Sequence, residues 1–152
     1  MSMRTCVVGL GQPAAGDDGV GFAVLEELRR RAVPDETELL RVSDATDLIS
    51  LLEGGARVVL VDAVLASPAG VVMELAPEDL SQRAPQPASS HGISAAQAIE
   101  LAGALSPNGA PPHIRIVAVT IGRPDRYRTG LSPEVAAAVP EAADRILSLL
   151  GD

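Results

Sequence analysis

The sequence predicts a three-layer α/β/α sandwich around a mainly parallel five-stranded sheet with one antiparallel strand. Apolar runs typical of buried strands alternate along the chain with segments of helical period, which is the order found in α/β folds. At 152 residues the chain is long enough to bury roughly 70% of the surface its unfolded form exposes. We therefore expect one domain over residues 1–152, without internal repeats or a linker.

Five short apolar runs are predicted as strands. The third contains Val58-Val59-Leu60-Val61, which is typical of a parallel strand buried on both faces. A turn at residues 67–70 separates it from the fourth and favours an antiparallel hairpin between these two. The predicted strands are Thr5 to Leu10, Glu38 to Val42, Arg57 to Val64, Gly70 to Leu75 and His113 to Thr120.

Four segments are predicted as helices. Ser94 and Ser132 are suitable N-cap residues, and Pro133 is suited to a first helical position. Pro140 predicts a break or kink in the last helix. The predicted helices are Val20 to Arg31, Thr46 to Leu52, the segment from Ser94 to Leu105, and Pro133 to Leu150, with loops at Gly11 to Gly19 and Ala76 to Ser90.

Composition excludes several classes of function. The twelve basic residues are all arginines and twenty residues are acidic, for a net charge of −8. This argues against a partner that is nucleic acid or an anionic membrane, and the lack of lysine excludes Schiff-base chemistry. The single cysteine, Cys6, excludes a disulfide framework, and its place in the first strand predicts a buried, inert thiol. Without a membrane span or a signal peptide in the sequence, we expect a cytoplasmic protein.

Candidate ligands follow the predicted strands. Asp17 and Asp18 come after the first strand, Asp62 lies near the end of the third, and His91 precedes the helix that begins near Ser94. Ligands bind outside the carboxyl ends of strands in such sheets, so we expect Asp18, Asp62 and His91 to share one cleft.

Two carboxylates and an imidazole suit Ni²⁺, Zn²⁺ or Mn²⁺, and three ligands leave positions open for a substrate. One aspartate suffices to cap the helix from Val20, and Asp17 is the candidate for that role. His113 is expected to lie outside the cleft.

The glycines after the first strand allow a second interpretation. Residues from Gly9 to Ala14 match G-x-G-x-x-A, and Asp44 is placed to bind a ribose, which together indicate a nucleotide- or dinucleotide-binding module. Against it, the segment from Pro13 to Gly19 postpones the helix, whereas a pyrophosphate needs the helix N-terminus directly after the glycines.

The same segments resemble a known family. Residues 7–21, with Gly9-Leu10-Gly11-Gln12 and Asp17-Asp18-Gly19-Val20-Gly21, resemble the opening signature of the [NiFe]-hydrogenase maturation endopeptidases. Further similar motifs lie at residues 59–63, 89–92, 120–122 and 130–135, so that the resemblance spans about residues 4–150. Gln12 replaces the usual asparagine, and Ser43-Asp44-Ala45-Thr46 lacks the Gly-Gly-Thr-x-Gly turn of many members.

The resemblance implies a function. Members remove a C-terminal extension from the hydrogenase large-subunit precursor after nickel insertion, and Asp18, Asp62 and His91 match the residues that recognise nickel and carry the reaction. The nickel is expected to arrive with the precursor, so that the free enzyme, a monomer or weak oligomer, holds no metal or an adventitious divalent ion. Either a carboxylate of this set or a metal-bound hydroxide then activates water. A scaffold that binds the precursor without cutting it is the other alternative.

Overall fold

A computed structural model describes residues 4–11, 13–79, 94–106, 113–122 and 130–151, and for residues 13–15 it describes the backbone alone. Two of the residues singled out above, Gln12 and His91, lie outside these ranges. No helix within them is both long enough and apolar enough to span a membrane.

Five strands form one mixed sheet in the order β2-β1-β3-β5-β4. The pairs β1–β2, β1–β3 and β3–β5 are parallel, and β4 pairs with β5 in antiparallel orientation. The predicted fold class is thus confirmed, with each strand within two residues of its expected bounds. The strands are β1 (Thr5–Leu10), β2 (Thr37–Val42), β3 (Arg57–Leu65), β4 (Val72–Leu75) and β5 (Ile114–Ile121).

Helices cover both faces of the sheet. Helices α1 (Val20–Arg29) and α4 (Pro133–Leu150) pack against each other on one face, and α2 (Thr46–Glu53) and α3 (Ala95–Leu105) pack against each other on the opposite face. Each layer has its own apolar core, because alternate residues of the central strands point to opposite faces. Val7 and Val59 lie in the core under α1 and α4, while Val8 and Leu60 lie in the core under α2 and α3.

The predicted hairpin between β3 and β4 is wrong, because β5 lies between these strands. The connection at residues 66–71 is long enough to step across one intervening strand, a distance of about 10 Å. Thr120 of β5 holds it there: its hydroxyl donates to the Pro68 carbonyl at 2.7 Å and accepts from the Val71 N–H at 2.8 Å. The pairing is therefore decided by a residue far along the chain.

Two further expectations about local structure are corrected. The predicted loop from Gly11 to Gly19 contains a 3₁₀ helix, Pro13–Gly19, a form that commonly connects longer elements. Helix α4 continues through Pro140 without a break. Both Pro140 and Ala136 are exposed, so water can reach the Ala136 carbonyl that has lost its usual N–H partner. Of the predicted loop at 76–90, residues 77–79 are helical and residues 80–90 lie outside the described ranges.

Candidate functional site

The connections of the sheet create a crevice between β1 and β3. From β1 the chain passes through α1 to β2 on one side, and from β2 it returns through α2 to β3 on the other side. In open α/β sheets a ligand binds where the strand order reverses in this way, outside the carboxyl ends of the two strands. Asp18 lies in the 3₁₀ helix that follows β1, and Asp62 lies on β3.

The 3₁₀ helix folds tightly onto the end of β1. The Gly11 N–H donates to the Val42 carbonyl at 3.2 Å, which extends the pairing of β1 with β2 by one residue. A Cβ atom on Gly11 would lie 2.2 Å from the Asp18 carbonyl oxygen, well inside van der Waals contact. Glycine is therefore required at position 11, because the Asp18 backbone occupies the space that a Cβ atom would need there. Asp18 itself is 4% exposed.

The other glycines of this segment serve close packing between β1 and α1. A Cβ on Gly9 would lie 2.6 Å from the Gly21 carbonyl oxygen, and one on Gly21 would lie 2.8 Å from that of Leu10. Close packing of β1 against α1 thus explains both glycines without a ligand. Asp44, the expected ribose ligand, instead accepts a 3.0 Å hydrogen bond from the Thr46 N–H at the start of α2. These contacts account for the glycine pattern without a nucleotide.

Asp62 stands where β3 loses β1 as a neighbour. Val61 is the last β3 residue paired with β1, whereas Asp62 is paired only with Ala118 of β5. Strand alternation turns its side chain to the face of Leu60, beneath α2 and α3. The Asp62 carboxylate is therefore at the open side of the crevice, next to the layer that contains α3.

The environment of the Asp62 carboxyl disfavours its charge. Burial raises the pKa of Asp62 to about 8, the hydrogen bond from the Ala63 N–H at 2.8 Å opposes that rise, and the charge of Asp18 adds to it. Asp18 thus lies near enough for its charge to disfavour ionisation of Asp62. Within the described ranges Asp62 forms no ion pair with an arginine. A like-charged, desolvated pair of this kind favours a cation or a proton.

Asp17 does not cap α1, as the sequence led us to expect. The N-cap residue of α1 is Gly19, without a side-chain hydrogen bond. Both oxygens of Asp17 instead bind Ser132: Oδ1 accepts from the backbone N–H at 2.6 Å and Oδ2 accepts from the hydroxyl at 2.8 Å. Ser132 is the N-cap residue of α4, as predicted, but its hydroxyl does not cap its own helix. Sequence reasoning missed this contact because the two residues lie 115 positions apart.

The remaining candidates lie apart from the two carboxylates or outside the described residues. His113 is exposed, and its carbonyl accepts from the Val58 N–H, near the start of β3 and thus far from Asp62. Cys6 is buried and forms no disulfide. The pKa of its thiol is raised to about 11, mainly by desolvation and to a lesser degree by its hydrogen bond to Glu38. His91 is outside the described ranges, but α3 begins only four residues after it, at Ala95.

As a metal site, the described part of the crevice is incomplete. No group of three or more histidine, cysteine, aspartate or glutamate side chains that could hold a metal ion occurs among the described residues. Asp18 and Asp62 thus provide two oxygen donors, and further ligands must come from elsewhere in the chain or from a bound partner. Chemically, the pair can bind a hard or borderline cation and can exchange a proton near neutral pH.

Comparison with known proteins matches this chain to a family model and to a curated relative. A family model described as hydrogenase maturation protease matches residues 22–149. Protein FrxA of Pyrococcus furiosus is 33% identical over 139 residues, covering 89% of this chain and 96% of that protein.

Solved structures agree with this match. The [NiFe] hydrogenase maturation protease HybD from Thermococcus kodakarensis is similar with a TM-score of 0.73 and 26% identity, covering 97% of this chain and 99% of that one. The hydrogenase maturating endopeptidase HybD from E. coli has the same fold, with a TM-score of 0.79 at 23% identity over 98% of this chain and 93% of that one.

Proposed function

Because this chain belongs to the hydrogenase maturation protease family, we propose that the crevice between β1 and β3 recognises the nickel centre of a [NiFe]-hydrogenase large-subunit precursor. The chain is an endopeptidase of that family, and C-terminal processing of the large subunit is the activity that fits it. The proposal concerns how the substrate is selected: Asp18 and Asp62 bind the metal that the precursor carries.

The observation that carries this proposal is the placement of two carboxylates, one of them 4% exposed, at the reversal point of the sheet. Asp62 is desolvated and forms no ion pair with an arginine among the described residues, so its ionised form is costly, and a docked nickel ion would offset that cost. The Asp18 backbone packs so closely against Gly11 that no side chain fits at that position. Asp62 is held by the sheet itself, since it is a strand residue paired with Ala118. The Asp62 strand position and the Asp18 backbone are therefore in place before the metal arrives.

His91 completes the proposed set of ligands. The support for it is its position in the sequence, four residues before α3, together with the orientation of Asp62 towards the face that α3 covers. The start of α3 is fixed by a capping box, in which Ser94 accepts from the Gln97 N–H at 3.1 Å and the Gln97 side chain accepts from the Ser94 N–H at 2.9 Å. The segment that contains His91 thus leads into a firmly anchored helix end.

Metal recognition would direct the hydrolysis. A precursor whose nickel centre is bound by Asp18, Asp62 and His91 presents the peptide bond next to that centre in a fixed orientation, which converts an undirected hydrolysis into an oriented one. A carboxylate of the pair is within the site to take a proton from water. The two protein carboxylates give modest affinity for nickel alone, whereas the precursor adds its own ligands, so that joint binding is much tighter than either half.

The test is cleavage of two forms of one precursor, with and without nickel, scored by mass spectrometry of the released extension. We expect the enzyme to cut the loaded form and to leave the nickel-free form intact. Treating the enzyme alone with a chelator, which is then removed, should not reduce activity, because the metal belongs to the substrate. Asp18→Asn should lose cleavage, while Asp35→Asn, an exposed residue before β2, serves as the matched control. Equal cleavage of both precursor forms would refute metal recognition.

A further inference from the structure

We propose that Asp17 is the positioning residue of this site: its carboxylate ties the 3₁₀ helix to the start of α4 and thereby fixes Asp18 opposite Asp62. The inference rests on the proposed function of Asp18 in recognising the metal of the precursor. It assigns Asp17 no contact with substrate.

The contact between Asp17 and Ser132 has the geometry of a specific anchor. Both carboxylate oxygens are used, at 2.6 Å to the backbone N–H and 2.8 Å to the hydroxyl of Ser132. Hydrogen bonds to an ionised carboxylate are shorter and roughly twice as strong as neutral ones. Two bonds to one residue also fix an orientation, which a single bond does not. These bonds join the start of α4 to the 3₁₀ helix that contains Asp18.

Ser132 is adapted to this contact rather than to capping its own helix. It occupies the N-cap position of α4, yet its side chain makes no hydrogen bond to the first turn. The next residue, Pro133, has no N–H that needs a partner. Asp17 instead places a negative charge at the N-terminus of an 18-residue helix, where the helix dipole favours an anion. The helix start thus uses a remote aspartate in place of its own serine.

Contacts that do not involve Asp17 hold the start of α4 in place. A Cβ on Gly70, which has φ of +89°, would lie 2.6 Å from the Glu134 carbonyl oxygen, so the first turn of α4 rests directly on the connection that leads to β4. Val135 in the same turn is fully buried in the core under α1 and α4. The start of α4 is therefore a rigid surface to which the 3₁₀ helix can be attached.

Asp17 and Asp18 are neighbours in a helix with three residues per turn, so their side chains point in directions about 120° apart. Asp17 points to α4, while the charge of Asp18 acts on Asp62. The backbone between them is held on both sides, by Ser132 through Asp17 and by Gly11 against the Asp18 carbonyl. Releasing Ser132 removes the first of these contacts, so the 3₁₀ helix can shift and the direction of the Asp18 carboxylate towards Asp62 changes.

The experiment measures how strongly each variant prefers the nickel-loaded precursor over the nickel-free precursor in binding, together with kcat/KM for cleavage and the Tm. We expect Asp17→Ala to reduce this preference by about 10- to 100-fold, the range typical for partners that orient metal ligands. Ser132→Ala should reduce it less, since the backbone N–H still binds Asp17. Asp17→Asn should be mildest, because its amide oxygen accepts from the N–H and its NH₂ donates to the Ser132 hydroxyl.

Two controls separate positioning from stability. Ile146→Val creates a small cavity in the core under α4 and should lower the Tm without changing the preference for nickel. Combining Asp17→Ala with Ser132→Ala should lower the preference no further than Asp17→Ala alone, because the link is already absent. If Asp17→Ala does not fold, Ser132→Ala decides the question by the same measurement.

A preference unchanged in a folded Asp17→Ala or Ser132→Ala variant, with a Tm loss like that of Ile146→Val, would overturn the inference. That result differs from a failure of the proposed function, in which the wild type itself shows no preference for nickel or Asp18→Asn keeps its activity. In the first case the site stands and Asp17 is a structural residue. In the second case the site is refuted, and the inference about Asp17 with it.

Discussion

Two acidic side chains of the sheet, one near the start of β2 and one near the end of β3, have opposite electrostatic environments. Glu38 on β2 forms an ion pair with Arg4 and accepts a hydrogen bond from the Cys6 thiol at 3.3 Å, and the Arg4 contact lowers the pKa of Glu38. Asp62 on β3 is desolvated and faces Asp18, and these effects raise its pKa to about 8. Glu38 is stabilised as an anion by the protein, whereas Asp62 is not.

The contrast is the one expected between a structural carboxylate and the functional carboxylate that we propose at Asp62. A group that only contributes to stability is satisfied by its own chain, as Glu38 is by Arg4. A group that must bind something from outside is not stabilised as an anion by its own chain until the partner arrives, and groups with pKa values shifted in this way cluster at functional sites. Asp62 has this character among the described residues, and its position at the reversal point of the sheet agrees with it.

The largest expected effect is on cleavage. Asp62→Asn and Asp18→Asn should each reduce processing of the loaded precursor by more than about 100-fold, because loss of residues that only orient ligands already costs 10- to 100-fold. Both variants should stay folded. Glu38→Gln should cleave at the wild-type rate, which is measured in the same assay. If Glu38→Gln were as inactive as Asp62→Asn, the distinction between the two carboxylates would be wrong.

Gly11→Ala should displace the 3₁₀ helix that contains Asp18. The added Cβ would lie 2.2 Å from the Asp18 carbonyl oxygen, so the 3₁₀ helix must move. We expect a stability loss of about 1–3 kcal/mol, typical of overpacking, and at least tenfold slower cleavage. Gly54→Ala at the end of α2, where the nearest atom is at 3.4 Å, is the control and should leave both quantities unchanged. Chemical denaturation and the cleavage assay together check this.

The pH dependence of stability should also distinguish the two carboxylates. The unfolded chain releases the Asp62 proton near pH 4, whereas the folded chain keeps it to about pH 8. Between these values the folded state binds more protons, so the contribution of Asp62 to stability falls as the pH rises. The loss is on the order of a few kcal/mol, and Asp62→Asn should remove it and be more stable than the wild type at pH 8. A Tm series from pH 5 to pH 9 for both proteins would show whether the two curves converge at low pH.

The smallest effect is expected at Cys6. Its thiol is buried, and its pKa is raised to about 11, so little thiolate exists at neutral pH. Iodoacetamide should therefore modify the folded protein far more slowly than the unfolded protein, with no loss of cleavage activity over the same time. Rapid alkylation that inactivates the enzyme would assign this end of the sheet a role that we do not expect.

The parts of the fold that local chemistry determines were predictable from the sequence. The apolar run of β1 gave its bounds directly, and Ser94 with Gln97 marks the start of α3 because a capping box involves residues three apart. The β3–β4 hairpin failed because the identity of the neighbouring strand is a long-range property, decided by Thr120 of β5. The expectation that Asp17 caps α1 failed for the same reason, since its partner Ser132 belongs to α4.

The candidate site was partly predictable because strand order determines where strand ends meet. Asp18 and Asp62 each follow or end an apolar run, and the charge of Asp18 contributes to the raised pKa of Asp62. The elevated pKa of Asp62 has no signal in the sequence, because it depends on burial by layers that fold around it. The place of His91 in this site stays a prediction, as does the compartment expected for the protein.

The insertion of β5 between β3 and β4 has a consequence for the order in which the molecule is completed. When the chain emerges from the ribosome, β3 and β4 are made before β5. Strand β3 can then pair with β1, but its other edge and the whole of β4 lack their final neighbour until β5 has been synthesised. Asp62 pairs only with β5, so its surroundings are among the last to form. The surroundings of Asp62 are thus completed only when β5 has joined the sheet, and we expect peptidase activity to arise only then.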